Sequence, residues 1–147
     1  MSTYLSLRYH LVYSTKNRNP FIKDEWFSRL HEYLGGMVSG LGGFSQGVGR
    51  VADHVHLLVG LKATHCLADF MRELKRSSSI WVHEEIGDPN FAWQEGYAAF
   101  TVGPPSRDTV TGYIAGQAEH HRGKSFRTEL IEMLRRAEVE FDEQYLE

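Results

Sequence analysis

Residues 50–60 of the chain, RVADHVHLLVG, place two histidines on either side of one valine. Successive side chains of a β-strand point to opposite faces, so His54 and His56 share one face while Val55 points into a core on the other. Two neutral imidazoles side by side supply half of a metal site. The alternative is a pair of polar residues on the solvated face of an amphipathic strand, because the spacing alone is weak evidence.

The positions after the pair test which class of histidine site it belongs to. A metallo-β-lactamase-like site needs Asp, and a histidine-triad hydrolase needs His, where this chain has Leu58. A cupin-like site needs a Glu at the position of Gly60 or Leu61. The motif that remains is two histidines around one hydrophobic residue, termed HUH, whose enzymes nick single-stranded DNA with a tyrosine.

Such a tyrosine must lie on another element together with a further metal ligand, and the segment 106–121 provides both. Ser106 or Asp108 is a typical N-cap residue and predicts a helix start. Helical spacing then makes Tyr113 and Gln117 neighbours on one face.

The same segment also has a structural interpretation. Tyr113 fits an ordinary amphipathic helix, with a packed ring and a hydroxyl that reaches water. Gln117 then fits a solvent-facing amide. His120 and His121 favour a role at the helix C-terminus, where they interact with the helix dipole, although either can substitute for Gln117 as a metal ligand.

Five segments carry a family resemblance, and together they cover nearly the whole chain: 9–18, YHLVYSTKNR; 53–59, DHVHLLV; 93–102, WQEGYAAFTV; 110–121, VTGYIAGQAEHH; and 140–146, EFDEQYL. They resemble the single-tyrosine HUH transposases of small bacterial insertion sequences, including REP-associated tyrosine transposases. The family usually has Asn before the glutamine, where this chain has Gly116, and Gly112 lies in the same helix. Each interior Gly costs about 1 kcal/mol relative to Ala, so we expect a less rigid helix.

The resemblance implies that Tyr113 is the nucleophile and that His54, His56 and Gln117 hold one divalent cation, Mg²⁺ or Mn²⁺. It implies hairpin-bearing single-stranded DNA as the substrate. It also implies a homodimer, in which the tyrosine helix acts in its own chain or on the partner's site. Attack by the tyrosine would give a 5′-phosphotyrosine and a free 3′-hydroxyl, so a second 3′-hydroxyl can rejoin the DNA without ATP.

A tyrosine hydroxyl has a pKa of about 10 and is a poor nucleophile at neutral pH, so charge must be withdrawn from the phosphate. Two histidines and one glutamine are uncharged ligands, which would leave the full positive field of a cation for that purpose. Two other functions remain open. A regulator of the same fold would have lost catalysis, and a metal-dependent hydrolase using bound water would not need Tyr113.

Length and composition set further expectations. A chain of 147 residues without a linker or repeat favours one domain over residues 1–147. Cys66 is the sole cysteine, which favours a reducing, cytoplasmic location, and we expect it to be a small buried hydrophobe. The sequence has neither a signal-peptide core nor an apolar run of membrane-spanning length, so no membrane association is expected.

The formal net charge of −3 is unusual for a DNA-binding protein, so charge must be segregated. Acidic residues concentrate at 138–147, and the cationic candidates for DNA contact lie elsewhere: Lys16, Arg18, Lys75, Arg76, Arg122, Lys124 and Arg127. The segment 75–79, KRSSS, is the strongest candidate because it offers cations and hydroxyls on one helix. For any one of these cations, a solvated surface position is the alternative.

The periodicity predicts a β-α-β-β-α-β order, the ferredoxin-like or palm-like pattern of an antiparallel sheet backed by two helices. The predicted elements are strands at 4–13, 44–51, 54–61 and 97–102, a helix at 24–38, and a second helix capped by Thr64. The glycine-rich segment 35–43 is interpreted as a helix end and loop. The tyrosine helix and an end helix opened by Ser125 follow the last strand.

Overall fold

The computed structural model describes residues 1–117 and 124–146. Its centre is a four-stranded antiparallel sheet in the order β2-β3-β1-β4. The strands are β1 (Arg8–Ser14), β2 (Phe44–Val51), β3 (His54–Gly60) and β4 (Ala98–Thr101). Helix α1 (Phe27–Gly40) joins β1 to β2, and helix α2 (Leu67–Trp81) joins β3 to β4. The predicted ferredoxin-like order is therefore confirmed.

Both faces of the sheet are covered by helices. One face packs on α1 and α2 through a large cluster that includes Leu11, Val55 and Leu57. The other face is covered by α3 (Arg107–Ala115) and α4 (Phe126–Arg136). Strand β3 is consequently buried along its whole length, and side chains on both of its faces lie in the interior.

Helix α3 lies directly against the backbone of β2. A Cβ atom added to Gly49 would lie 2.0 Å from the carbonyl oxygen of Ile114, so glycine is required for this approach. Ile114 itself packs with Leu58 of β3 and with Val102. Helix α3, which carries Tyr113, is thereby held across strands β2 and β3.

Several predicted boundaries differ from the structure. Strand β1 begins at Arg8, not at Tyr4, because its partner β3 ends where Gly60 pairs with Arg8. Helix α1 begins at Phe27 and continues to Gly40, so the first glycines of the segment 35–43 are helical.

The start of α2 also differs. The ring of His65 accepts a hydrogen bond from the Lys62 amide at 2.8 Å and forms its own turn, and α2 begins only at Leu67 without a side-chain cap. Thr64 is therefore not the cap, and Cys66 is exposed, not buried. The cap of α4 was predicted correctly, since Ser125 accepts from the Thr128 amide.

Within the described residues, no helix combines the length and apolar character needed to cross a membrane.

Candidate active site

His54 and His56 lie on the face of β3 that α3 and α4 cover. Both are fully buried, with 0% exposure. The alternative of two polar residues on a solvated strand face is therefore wrong. Because buried polar groups need partners, the surroundings of the two rings decide what the pair can do.

A buried carboxylate completes a three-residue group with the two histidines. Glu129 of α4 is 1% exposed, and its Oε1 lies 3.0 Å from His56 Nε2 and 3.4 Å from His54 Nε2. One ligand atom from each of the three residues lies within 4.8 Å of the others. On its other side, His54 Nδ1 is 2.7 Å from a carboxylate oxygen of Asp53, which orients the ring.

No sequence motif singled out Glu129, although the sequence carries a signal for it. The apolar face of α4 packs on Val12 through Phe126, Leu130 and Leu134. Glu129 falls within this stripe at helical spacing, where a charged residue is rarely tolerated unless it is paired. A carboxylate on the apolar side of an amphipathic helix could have been singled out as a functional candidate.

Tyr113 is brought to the same carboxylate. Its hydroxyl donates a hydrogen bond to Glu129 Oε2, and its ring lies edge-on to His56 with the centroids 5.6 Å apart. The structure thus brings the predicted nucleophile and the predicted metal-binding histidines together within a single chain.

Gln117 lies one helical turn after Tyr113 and is 1% exposed, so it is not a solvent-facing amide. Its Nε2 donates to the backbone carbonyl of Tyr113 at 3.2 Å. Its Oε1 is buried and has no hydrogen-bond partner among the described residues. A buried amide oxygen of this kind is a suitable cation ligand. The alternative ligands His120 and His121 lie outside the described residues.

Hydrogen bonds within the site favour the ionised form of Glu129 and the protonated form of His54. Burial alone would raise the pKa of Glu129, but hydrogen bonds from His54 and His56 outweigh it and hold the pKa far below the ordinary range. Burial likewise opposes the change at His54, whose pKa is raised by its hydrogen bonds to Asp53 and Glu129. The pKa of Tyr113 is raised by burial and then by its hydrogen bond to Glu129. The phenol is therefore protonated beside an ionised carboxylate.

These donors fit a divalent cation. Two imidazole nitrogens and a carboxylate oxygen converge. The amide oxygen of Gln117, one turn after Tyr113, is buried and has no hydrogen-bond partner in the part of the chain that the structure describes. Imidazole and oxygen donors of this kind suit Mn²⁺ and Zn²⁺, and Mg²⁺ prefers the oxygens. The prediction of an entirely uncharged ligand group does not hold if Glu129 takes part, since its carboxylate would offset one unit of the cation's charge.

Two of the predicted DNA-contact residues follow the end of β1 that pairs with the start of β3, where Ser14 lies opposite His54. Lys16 and Arg18 form a short 3-10 turn directly after β1. Thr15 fixes this turn by pairing its amide with the carbonyl of Asp53 at 2.8 Å, immediately before His54. Lys16 is exposed and Arg18 is half-buried.

The other cations have protein partners or lie elsewhere. Lys75 donates to the carbonyls of Gln94 and Gly96 at 2.6 and 2.7 Å, and burial lowers its pKa. Ser78 is buried and bonded to Leu74, so the segment 75–79 presents fewer free hydroxyls than predicted.

Of the remaining candidates, three form ion pairs: Arg76 with Glu73, Lys124 with Glu132, and Arg127 with Glu143. Arg122 lies outside the described residues. Cations and acidic residues are thus less segregated than the sequence suggested.

Two solved structures have a similar fold. The structure resembles a candidate transposase from Deinococcus radiodurans R1, with 26% identity and a TM-score of 0.63, over 78% of this chain and 93% of that one. It also resembles a REP-associated tyrosine transposase solved with a REP hairpin, with 14% identity and a TM-score of 0.60, over 100% of this chain and 92% of that one. The chain thus shares its fold with a REP-associated tyrosine transposase.

The chain belongs to the IS200-like transposase family, whose model matches residues 3–117. Similar curated proteins are the transposases for insertion sequence element IS200 of Salmonella typhimurium LT2 and Salmonella typhi. Each is 32% identical in a 77-residue alignment that covers 48% of this chain and 50% of the relative. The chain therefore spans about half the length of these relatives. The matched family region contains Tyr113 and Gln117 but ends before Glu129.

Proposed function

We propose that the chain is a transposase that cleaves and rejoins single-stranded DNA at hairpin-marked ends, with residues 1–147 acting as one HUH domain. Tyr113 is the nucleophile, and His54, His56 and Gln117 hold one divalent cation, Mg²⁺ or Mn²⁺, with Glu129 as a further ligand. The observation that carries the proposal is the shared carboxylate of Glu129, which contacts the phenol on one side and both imidazoles on the other.

The contacts of Tyr113 support transfer of the DNA phosphate to its phenolic oxygen. The phenolic oxygen attacks phosphorus, and the bond from phosphorus to the 3′ oxygen breaks as the bond to tyrosine forms. The phenolic proton passes to Glu129 Oε2, to which it is already donated, and the departing 3′ oxygen takes a proton from water. When bound, a divalent cation would withdraw charge from the phosphate oxygens.

The same residues serve rejoining. A 3′-hydroxyl gives its proton to solvent and attacks the phosphotyrosine, the bond from phosphorus to Tyr113 breaks, and the phenol regains its proton from Glu129. Because the energy of the broken DNA bond is kept in the protein link, no nucleotide triphosphate is required. Microscopic reversibility makes one site sufficient for both directions.

Charge and similarity support DNA as the substrate. Lys16 and Arg18 lie at the end of β1 next to Asp53 and His54, where a bound strand would pass. We assign phosphate contacts first to these two residues, and then to Arg76, Lys124 and Arg122. Lys75 is a weaker candidate because its ammonium group is engaged by two carbonyls. The REP-associated relative was solved with a hairpin, and hairpin DNA is accordingly the substrate class proposed for this chain.

The test is a labelled hairpin oligonucleotide incubated with the protein and Mg²⁺ or Mn²⁺. We expect a covalent adduct that survives denaturation and is absent with EDTA or with Tyr113→Phe. Tyr4→Phe is the matched control, since Tyr4 is 81% exposed and remote in sequence from the site. Free cleaved product without an adduct would support the hydrolase function, and binding without cleavage would support the regulator.

A further inference from the structure

We infer that His10 is a positioning residue for His56: a hydrogen bond from one ring to the other sets which nitrogen of His56 carries hydrogen, and so makes His56 Nε2 available as a ligand atom. The inference rests on the proposed function, because it concerns the same candidate cation site. Nothing in the sequence pattern singled out His10, which lies far from the histidine pair in the chain.

The geometry of the pair is well defined. His10 lies on β1 opposite Leu58 of β3, and therefore on the sheet face that carries His56. Its Nε2 is 2.8 Å from His56 Nδ1, and the ring centroids are 5.0 Å apart. His10 is 7% exposed and His56 is fully buried, so water does not compete for this contact.

The hydrogen bond constrains the tautomer of both rings. A neutral imidazole carries hydrogen on one nitrogen and offers a lone pair on the other. If His56 Nε2 is a ligand, its hydrogen must be on Nδ1, which then donates to His10 Nε2. His10 must in turn carry its own hydrogen on Nδ1.

Without a cation the opposite arrangement fits the contacts. For a neutral His56, a hydrogen on Nε2 is donated to the carboxylate of Glu129 at 3.0 Å, and Nδ1 then accepts from His10 Nε2 at 2.8 Å. Cation binding therefore changes the tautomer of both rings. His10 passes its Nε2 hydrogen to His56 Nδ1, the Nε2 hydrogen of His56 leaves to water, and His10 takes a proton from water at Nδ1. The pair loses one proton to water and takes one from water, so the number of protons on the two rings is unchanged.

A route for this exchange with water is present. His10 lines a cavity of about 410 Å³ between β4, α3 and α4, together with Phe100, Ser106 and Arg136. His56 is not among the residues that line this cavity. His10 is thus the member of the pair through which solvent protons can reach the buried rings.

The first experiment needs no substitution. Long-range ¹H–¹⁵N correlation spectra of the ¹⁵N-labelled full chain, recorded without and with saturating Mg²⁺, distinguish protonated from unprotonated ring nitrogens. We expect Nδ1 of His56 to become protonated and Nε2 of His10 to lose its hydrogen. An unchanged His10 tautomer at saturation would overturn the inference.

The second experiment measures Mn²⁺ affinity by calorimetry for His10→Leu and His10→Gln, with circular dichroism as the check on folding. We expect His10→Leu to weaken Mn²⁺ binding about tenfold to a hundredfold, the usual effect of removing a partner of a metal-binding histidine. His10→Gln places an amide oxygen near the position of Nε2 and should restore most of the affinity. His31→Leu, on α1 across the sheet, is the matched control and should bind as the wild type does.

The results separate this inference from the proposed function. Wild-type affinity in His10→Leu, or equal losses in His10→Leu and His10→Gln, would overturn the role of His10 while the cation site stands. A wild-type chain that binds no cation would overturn the cation part of the proposed function and this inference with it. Formation of the adduct at Tyr113 is measured in the hairpin assay, independently of the ring-nitrogen spectra and of the Mn²⁺ affinities.

Discussion

At the scale of single residues, Glu129 determines how the site is organised. Its two oxygens face different groups, with Oε1 toward the imidazoles and Oε2 toward the Tyr113 hydroxyl. A change at this one side chain should therefore affect both the proposed cation binding and the environment of Tyr113, the proposed nucleophile. Its position 73 residues from His56 also explains why motif spacing did not reveal it.

Glu129→Gln tests this role because it keeps the shape and removes the charge. We expect the variant to bind Mn²⁺ at least about tenfold more weakly. Removing a hydrogen-bond partner of a metal ligand already has an effect of this size, and removing the charge of a ligand should cost no less. Calorimetric titration measures the effect. Glu132→Gln on the same helix is the control, since Glu132 pairs with Lys124 at the surface. Equal affinities of Glu129→Gln and the wild type would show that the carboxylate is not a ligand.

At the scale of elements, the site depends on how closely α3 lies on the sheet. The contact between Gly49 and Ile114 leaves no room for a side chain, so the height of the tyrosine helix above β2 and β3 is set by one glycine. Tyr113 immediately precedes Ile114, and the reach of its hydroxyl to Glu129 follows from this packing.

Gly49→Ala should therefore lower the free energy of unfolding by about 1–3 kcal/mol through overpacking, and slow adduct formation because α3 must shift. Urea denaturation and the hairpin assay measure the two effects. Gly36→Ala in α1 is the control: nothing lies within 4 Å of its added Cβ, and the substitution should stabilise the chain by about 0.4–1 kcal/mol. Similar stability of the two variants would contradict the close approach of α3.

The helices and strands were largely predictable from the sequence, whereas the long-range contacts within the site were not. Alternation in β3 and the cap at Ser125 are local features, and both were identified correctly from the sequence. The starts of β1 and α2 were misplaced because pairing with Gly60 and the turn made by His65 decide them. The contacts of His10 and Glu129 with His56 join distant parts of the chain, and no local pattern encodes them.

At the scale of the whole molecule, helices on both sheet faces enclose the site within one chain. β3 contributes the histidines, α3 the tyrosine and α4 the carboxylate. A partner chain is not needed to bring these groups together. The homodimer implied by the family resemblance stays a prediction, and so does any exchange of the tyrosine helix between chains.

Mixing two inactive variants tests the arrangement. We expect a mixture of Tyr113→Phe and His54→Ala chains to form no adduct. If each site is built within one chain, every site in the mixture lacks either the tyrosine hydroxyl or one histidine. A gel shift with the same hairpin confirms that both variants bind DNA. Recovery of adduct formation in the mixture would instead show that Tyr113 serves the partner's histidines.

The exposed thiol of Cys66 makes the association of chains directly measurable. Because the sequence has a single cysteine, a nitroxide attached there gives one spin per molecule without prior mutagenesis. Any dipolar coupling between spins must then arise between two molecules. Pulsed electron paramagnetic resonance on the labelled native chain, before and after hairpin addition, would detect the association of two chains through the labels at Cys66, just before α2.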